Sequence, residues 1–209
     1  MAAHLDDQQE LENFKHFWQS WGRWLFAGLA AAALAYLAWV LYQNHQVSQN
    51  QEAAAMLAKM VEKAQANPED KAINNDLQTL QQQYPNSIAA AQASMMVAAN
   101  DFDKARYEVA EGHLNWVLQN QKTPFVQALA AQRLAIVQLQ QKKYDAALAT
   151  LNTPVQAAFE PALLETKGDV LVAQGKRTEA VAAYDAALGK LAKDAAGREL
   201  LQLKADQLK

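Results

Sequence analysis

A chain of 209 residues carries a formal net charge of −3, hydrophobic side chains at 51% of its positions and no cysteine. Lacking cysteine, it has no disulfides and no thiolate-ligated metal. Beyond residue 42 basic and acidic side chains nearly balance and no Lys/Arg cluster occurs, so a nucleic-acid backbone finds nothing to hold.

In chain order, the first predicted element is an amphipathic helix over residues 10–23. Leu11, Phe14, Trp18, Trp21 and Leu25 recur at i, i+3, i+7, i+10 and i+14, one apolar stripe. Bulky aromatics beside a membrane span suit a helix lying in the cytoplasmic interface. An ordinary amphipathic helix against a soluble partner gives the same pattern.

From Trp24 to Tyr42 there is no charged residue, with Trp24 at one end and Trp39 and Tyr42 at the other. As a helix the stretch covers about 28 Å, close to the hydrocarbon thickness of a bilayer. Aromatic rings at both ends fit the membrane–water interface. Ala33 and Ala35 offer a signal-peptide cleavage pattern, but apolar residues run on to Tyr42 and the preceding region is acidic. The segment therefore reads as an uncleaved anchor.

Lys15 and Arg23 flank its amino side, whereas the first cation beyond it is Lys59. The positive-inside rule then keeps the amino tail in the cytoplasm and sends the rest across the membrane, into the periplasm of a Gram-negative cell. Gly28, Ala31, Ala32 and Ala35 share one side of this helix, and small residues so spaced let another membrane helix approach.

The remainder, residues 43–209, is rich in Ala, Leu, Gln and Lys, all strong helix formers. Pro68, Pro85, Pro124, Pro154 and Pro161, with Gly175, Gly189 and Gly197, divide it. The expected helices are 46–66, 70–84, 87–100, 104–120, 125–141, 144–152, 161–174, 177–190 and 194–207. The fold class is all-α: a cytoplasmic tail (1–23), one transmembrane helix (24–42) and a domain of stacked helical hairpins (43–209).

Internal repetition supports the stacking. Three times a small residue is followed by alanine twelve positions on: Ala98 and Ala110, Ala135 and Ala147, Gly168 and Ala180. This is tetratricopeptide spacing, in which small residues let the two helices of a hairpin close tightly. The fullest copy runs from Leu163 to Leu188, with Gly175 in its turn. The copies at Leu134–Leu151 and Val97–Leu118 put Lys142 and Ala105 where that glycine stands.

Such hairpins stack into a superhelix with a concave groove. The repeat register places there Met95, Ala99 and Phe102 of the first copy, Gln132, Ile136, Leu139 and Gln140 of the second, and Glu165, Asp169 and Val172 of the third. A groove of this composition suits a peptide segment of a partner. Ile136, Leu139 and Val172 fit equally well as core between neighbouring helices.

No catalytic constellation emerges. His4, His16, His45 and His113 stand apart, and no nucleophile elbow, zinc-protease motif, phosphate loop or dinucleotide fingerprint is present. Asp101 and Asp103 fall at a hairpin turn, where Asp suits the backbone. Neither an enzyme nor a metal site is expected, and no cofactor, nucleic acid or small-molecule substrate is called for.

Three stretches carry a family likeness: LENFKHFWQSWGRWLFAG (Leu11–Gly28), NHQV (Asn44–Val47) and RLAIVQLQQKKYDAALATL (Arg133–Leu151). With them the chain resembles the YfgM-type ancillary subunits of the SecYEG translocon, nearly end to end apart from residues 1–9 and 65–85. The resemblance implies a single-pass inner-membrane protein with a tetratricopeptide-like periplasmic domain. It also implies association with SecYEG and with the periplasmic chaperone PpiD, help in handing over newly exported proteins, and a link to envelope stress. A structural or assembly subunit of another envelope complex, and a regulator facing the cytoplasm, are the alternatives from other classes.

Overall fold

The computed structural model describes Lys15 and residues 21–209. Most of the amphipathic stretch expected over 10–23 lies outside the described residues. The chain divides into two units, residues 1–49 and 50–209.

Helix α1 (Arg23–Ala66) begins in the first unit and ends in the second. The helix runs unbroken through residues 43–45, where the sequence pattern predicts a break. Gln43, Asn44 and His45 contain neither proline nor glycine, so nothing interrupts the backbone ladder. In the first unit the helix is long and apolar enough to cross a membrane. Its large side chains, among them Trp24, Leu29, Leu34, Trp39 and Tyr42, are exposed. The Arg23 guanidinium lies 5.7 Å from the Trp24 ring centre. Gly28, Ala31, Ala32 and Ala35 are exposed as well.

The second unit continues with α2 (Lys71–Gln83), α3 (Ile88–Asp103), α4 (Tyr107–Asn120), α5 (Pro124–Gln140), α6 (Tyr144–Leu151), α7 (Glu160–Ala173), α8 (Arg177–Lys190) and α9 (Arg198–Asp206). Local chemistry starts several of them. Asp70 caps α2 by accepting the Ala72 N–H at 2.9 Å, and Ser87 caps α3 by accepting that of Ala90 at 3.1 Å. Pro124 opens α5, where its missing N–H is not needed. Gly189, expected to break the chain, sits inside the last turn of α8 instead. Gly197, at φ +84°, holds the start of α9 back to Arg198.

The pairs α3/α4, α5/α6 and α7/α8 are hairpins, and α3–α5 and α5–α7 also touch directly. That is the packing of stacked tetratricopeptide-like repeats. The carboxy-terminal part of α1 and α2 share a core with α3, built on Met60, Leu77, Leu80 and Ala90. Helix α9 closes the other end against α8 through Tyr184, Leu188, Leu201 and Ala205.

All the small residues of the repeat register are buried: Ala98, Ala110, Ala135, Ala147, Gly168 and Ala180. The three hairpin turns share one geometry. Ala105, Lys142 and Gly175 have φ of 57°, 59° and 75°. The following N–H reaches back to a carbonyl in the last helical turn: Arg106 to Asp101 at 2.8 Å, Lys143 to Gln138 at 2.8 Å, Lys176 to Leu171 at 2.9 Å. Each is a Schellman closure, which satisfies carbonyls the ending helix leaves unpaired.

Candidate functional site

Two adjoining pockets open between α3 and α5. One, of about 150 Å³, is bordered by Ala99, Phe102, Arg133 and Ile136 over Ala98, Leu114 and Val137. The other, of about 480 Å³, lies between Ile88, Met96, Phe125, Leu129 and Arg133. Met95 and Arg133 line both, so the two form one groove along the facing helices.

The structure thus brings together Met95, Ala99, Phe102 and Ile136 of the residues expected in the groove. Met95, 5% exposed, is its floor. Phe102 is fixed by an edge-on contact with Tyr107, ring centres 5.5 Å apart. Arg133, Phe125 and Ile88 belong to the same surface and were not foreseen. Phe125 is 57% exposed, its ring 5.7 Å from that of Phe159. Phe125, Leu129 and Ile136 recur at i, i+4 and i+11 along α5. That stripe was a signal available from the sequence.

The other expected groove residues lie elsewhere. Gln132 ties α5 to α7 by donating to the Ala162 carbonyl at 3.3 Å and to Thr166 Oγ1 at 3.1 Å. Leu139 packs on the core around Ala135, Ala147 and Leu151. Gln140 is exposed at the end of α5, and Val172 is exposed near the end of α7.

Glu165 and Asp169 face α9. Lys204 Nζ donates to Glu165 Oε1 at 2.8 Å and to the Asp169 oxygens at 3.0 and 3.1 Å. Tyr184 donates its hydroxyl to Asp169 Oδ1 at 2.7 Å. Burial alone would lower the Lys204 pKa, but the hydrogen bonds and charges of Glu165 and Asp169 outweigh it and raise the ammonium above its ordinary value. Burial, then the Asp169 hydrogen bond, pushes the Tyr184 phenol upward too. These carboxylates hold the terminal helix in place.

Other polar groups act as structural ties. Asp101, 3% exposed, is not a turn residue but accepts from Arg106 at 2.6 and 2.9 Å. His113 stands 3.6 Å from its second oxygen. Burial lowers the His113 pKa, partly opposed by Asp101. Glu111 on α4 accepts from Gln138, Gln141 and Lys143 at 2.9 to 3.2 Å. Burial would raise its pKa, yet these donors together depress it. Gln121, 1% exposed, donates to the carbonyls of Pro85 and Ser87. It joins the α4–α5 connection to the α2–α3 connection.

Comparison with known proteins fits this architecture. A family model described as a tetratricopeptide repeat-like domain matches residues 15–209. A Neisseria gonorrhoeae protein named Ancillary SecYEG translocon subunit is 62% identical over 209 residues, covering all of both chains. Proteins of the same name from Haemophilus influenzae and Escherichia coli are each 25% identical. They cover 90% and 100% of this chain and 91% and 99% of their own length. No solved structure matches. With an apolar helix of membrane-spanning length ahead of stacked helical hairpins, the chain belongs to the tetratricopeptide repeat-like family of ancillary SecYEG translocon subunits.

Proposed function

We propose that this protein is a non-catalytic, membrane-anchored adaptor of the SecYEG translocon. In this reading Trp24–Tyr42 spans the inner membrane, the amino tail is cytoplasmic and residues 43–209 stand in the periplasm. There the repeats bind a membrane-anchored chaperone of the PpiD type and assist hand-over of newly exported proteins. The observation that carries the reading is the 62% identity, over its whole length, to a relative named for that translocon. The cation asymmetry of Lys15 and Arg23 against Lys59 supports the orientation.

Two surfaces are available for the contacts. The groove between α3 and α5 offers exposed apolar side chains for a partner segment, and the Gly28–Ala35 face offers a close-packing stripe within the bilayer. Photo-crosslinking in intact cells tests both, with the reactive side chain placed at Phe102 in one strain and at Ala32 in another. The expected products are a chaperone adduct from the groove position and a translocon adduct from the membrane position. Absence of SecY, SecE and SecG from both product sets sinks the reading. A carboxy-terminal reporter active in the cytoplasm reverses the orientation.

A further inference from the structure

Arg133 stands in the middle of the groove, bordering both pockets. Its side chain is exposed, and among the described residues it makes no ion pair or hydrogen bond. The other arginines are all engaged. Arg23 lies over Trp24, and Arg106 binds Asp101. Arg177 donates to the Gln207 and Leu208 carbonyls, and Arg198 to those of Leu188 and Leu191. Every guanidinium but one thus serves the chain's own structure.

Apolar side chains flank Arg133 on both sides, with Gln92 and Thr123 the polar residues lining the larger pocket. Ile88, Phe125 and Leu129 lie towards one end of the groove, Phe102 and Ile136 towards the other. The acidic side chain in the lining is Asp103, which borders the smaller pocket. A guanidinium presents a planar fork of donors matched to a carboxylate, and such a bond strengthens when apolar neighbours exclude water.

We infer that the groove takes a peptide segment with a single carboxylate between apolar side chains, the carboxylate seated on Arg133. The inference rests on the groove being the partner surface and adds the chemistry of the segment. Asp103 sets the polarity: a second acidic residue towards that end is repelled, whereas the end near Phe125 is lined mainly by apolar side chains.

The test uses the full-length protein in lipid nanodiscs and three fluorescent peptides of Leu, Phe, Ala and Ser. They differ only in the central residue, which is Glu, Gln or Lys. Anisotropy, corrected with empty nanodiscs, reads the affinity. The Glu peptide is expected to bind about tenfold more tightly than the Gln peptide, with the Lys peptide weakest and the preference fading as salt rises. Arg133→Gln should erase the preference, and Arg133→Glu should turn it towards Lys. Because Arg133 is exposed, both variants should melt like the parent.

Equal binding of the three peptides by the parent, or a preference that survives in Arg133→Gln, overturns the inference. If that equal binding is lost in Ile136→Glu, the groove remains the binding surface and only the carboxylate preference falls. If no peptide binds, the groove reading and this inference fall together.

Discussion

Tyr184 covers Gly168 so closely that a Cβ built on the glycine would penetrate the ring, with even the more distant Cζ only 2.8 Å away. The contact closes the α7/α8 hairpin, and the same tyrosine donates to Asp169 on the next residue of α7. Ring and hydroxyl together fix how the two helices cross.

A larger side chain at Gly168 must therefore displace the tyrosine. Gly168→Leu is expected to destabilise the domain by about 1–3 kcal/mol, the usual range for overpacking. For a domain of this size that lowers Tm by roughly 2–12 °C. Thermal melting followed by circular dichroism checks it. A variant that melts with the parent would show that Tyr184 moves aside freely.

The left-handed turns give a prediction of opposite sign. An L-residue pays about 1–2 kcal/mol for that conformation, and glycine recovers part of this after its larger unfolded-state entropy. Ala105→Gly and Lys142→Gly should each stabilise by about 0.5–1 kcal/mol, and being far apart should add. Gly175→Ala should lose about 1 kcal/mol. Denaturant midpoints with unchanged m-values would establish all three.

Glu111 supplies a pH signature. Its folded pKa is depressed below 4.5, so it binds fewer protons folded than unfolded. Its contribution is fully present above about pH 4.5 and is lost as the pH falls through the lower folded value. Glu111→Gln should therefore narrow the stability gap between pH 6 and pH 3, with the two proteins converging at the acid end. Parallel pH profiles of Tm for parent and variant would refute the assignment.

Replacing Asp169 by lysine sets a second ammonium against Lys204. It removes the acceptor of Tyr184 as well. Asp169→Lys should loosen α9 by about 1–3 kcal/mol, and Lys204→Asp added to it should restore part of the loss. Hydrogen exchange is the direct readout, with the largest acceleration over 198–206 in the single variant and a smaller one at the α7/α8 crossing, where Tyr184 loses its acceptor. Uniform acceleration across the domain would mean that the tie holds more than the terminal helix.

How much of this was legible from the sequence depends on the range of each contact. The twelve-residue step from Ala98 to Ala110, and from Gly168 to Ala180, is a within-hairpin spacing, and it located the crossings. Phe102 and Ile136 reached the groove for the same reason. Glu165 and Asp169 hold groove positions in the repeat register, but their partner, Lys204, lies one helix beyond the last repeat, where the period no longer applies. Gln121 went unnoticed since a buried glutamine reaching a connection far back in the chain leaves no periodic trace. The positive φ of Ala105 and Lys142 is set by the Schellman closure, not by residue type, so only their alignment with Gly175 in the repeat marked it.

The stack has a kinetic corollary. Within residues 50–209 each hairpin touches only those beside it in sequence, so no long loop must close before packing begins. Structure can nucleate at any one hairpin and spread outward to its neighbours, turn by turn. The C-terminal pair is well placed to begin, because Gly175 adopts its turn without strain and Gly168 lets the tightest crossing form. Refolding should then run from α7/α8 towards α1, with α3/α4 joining late.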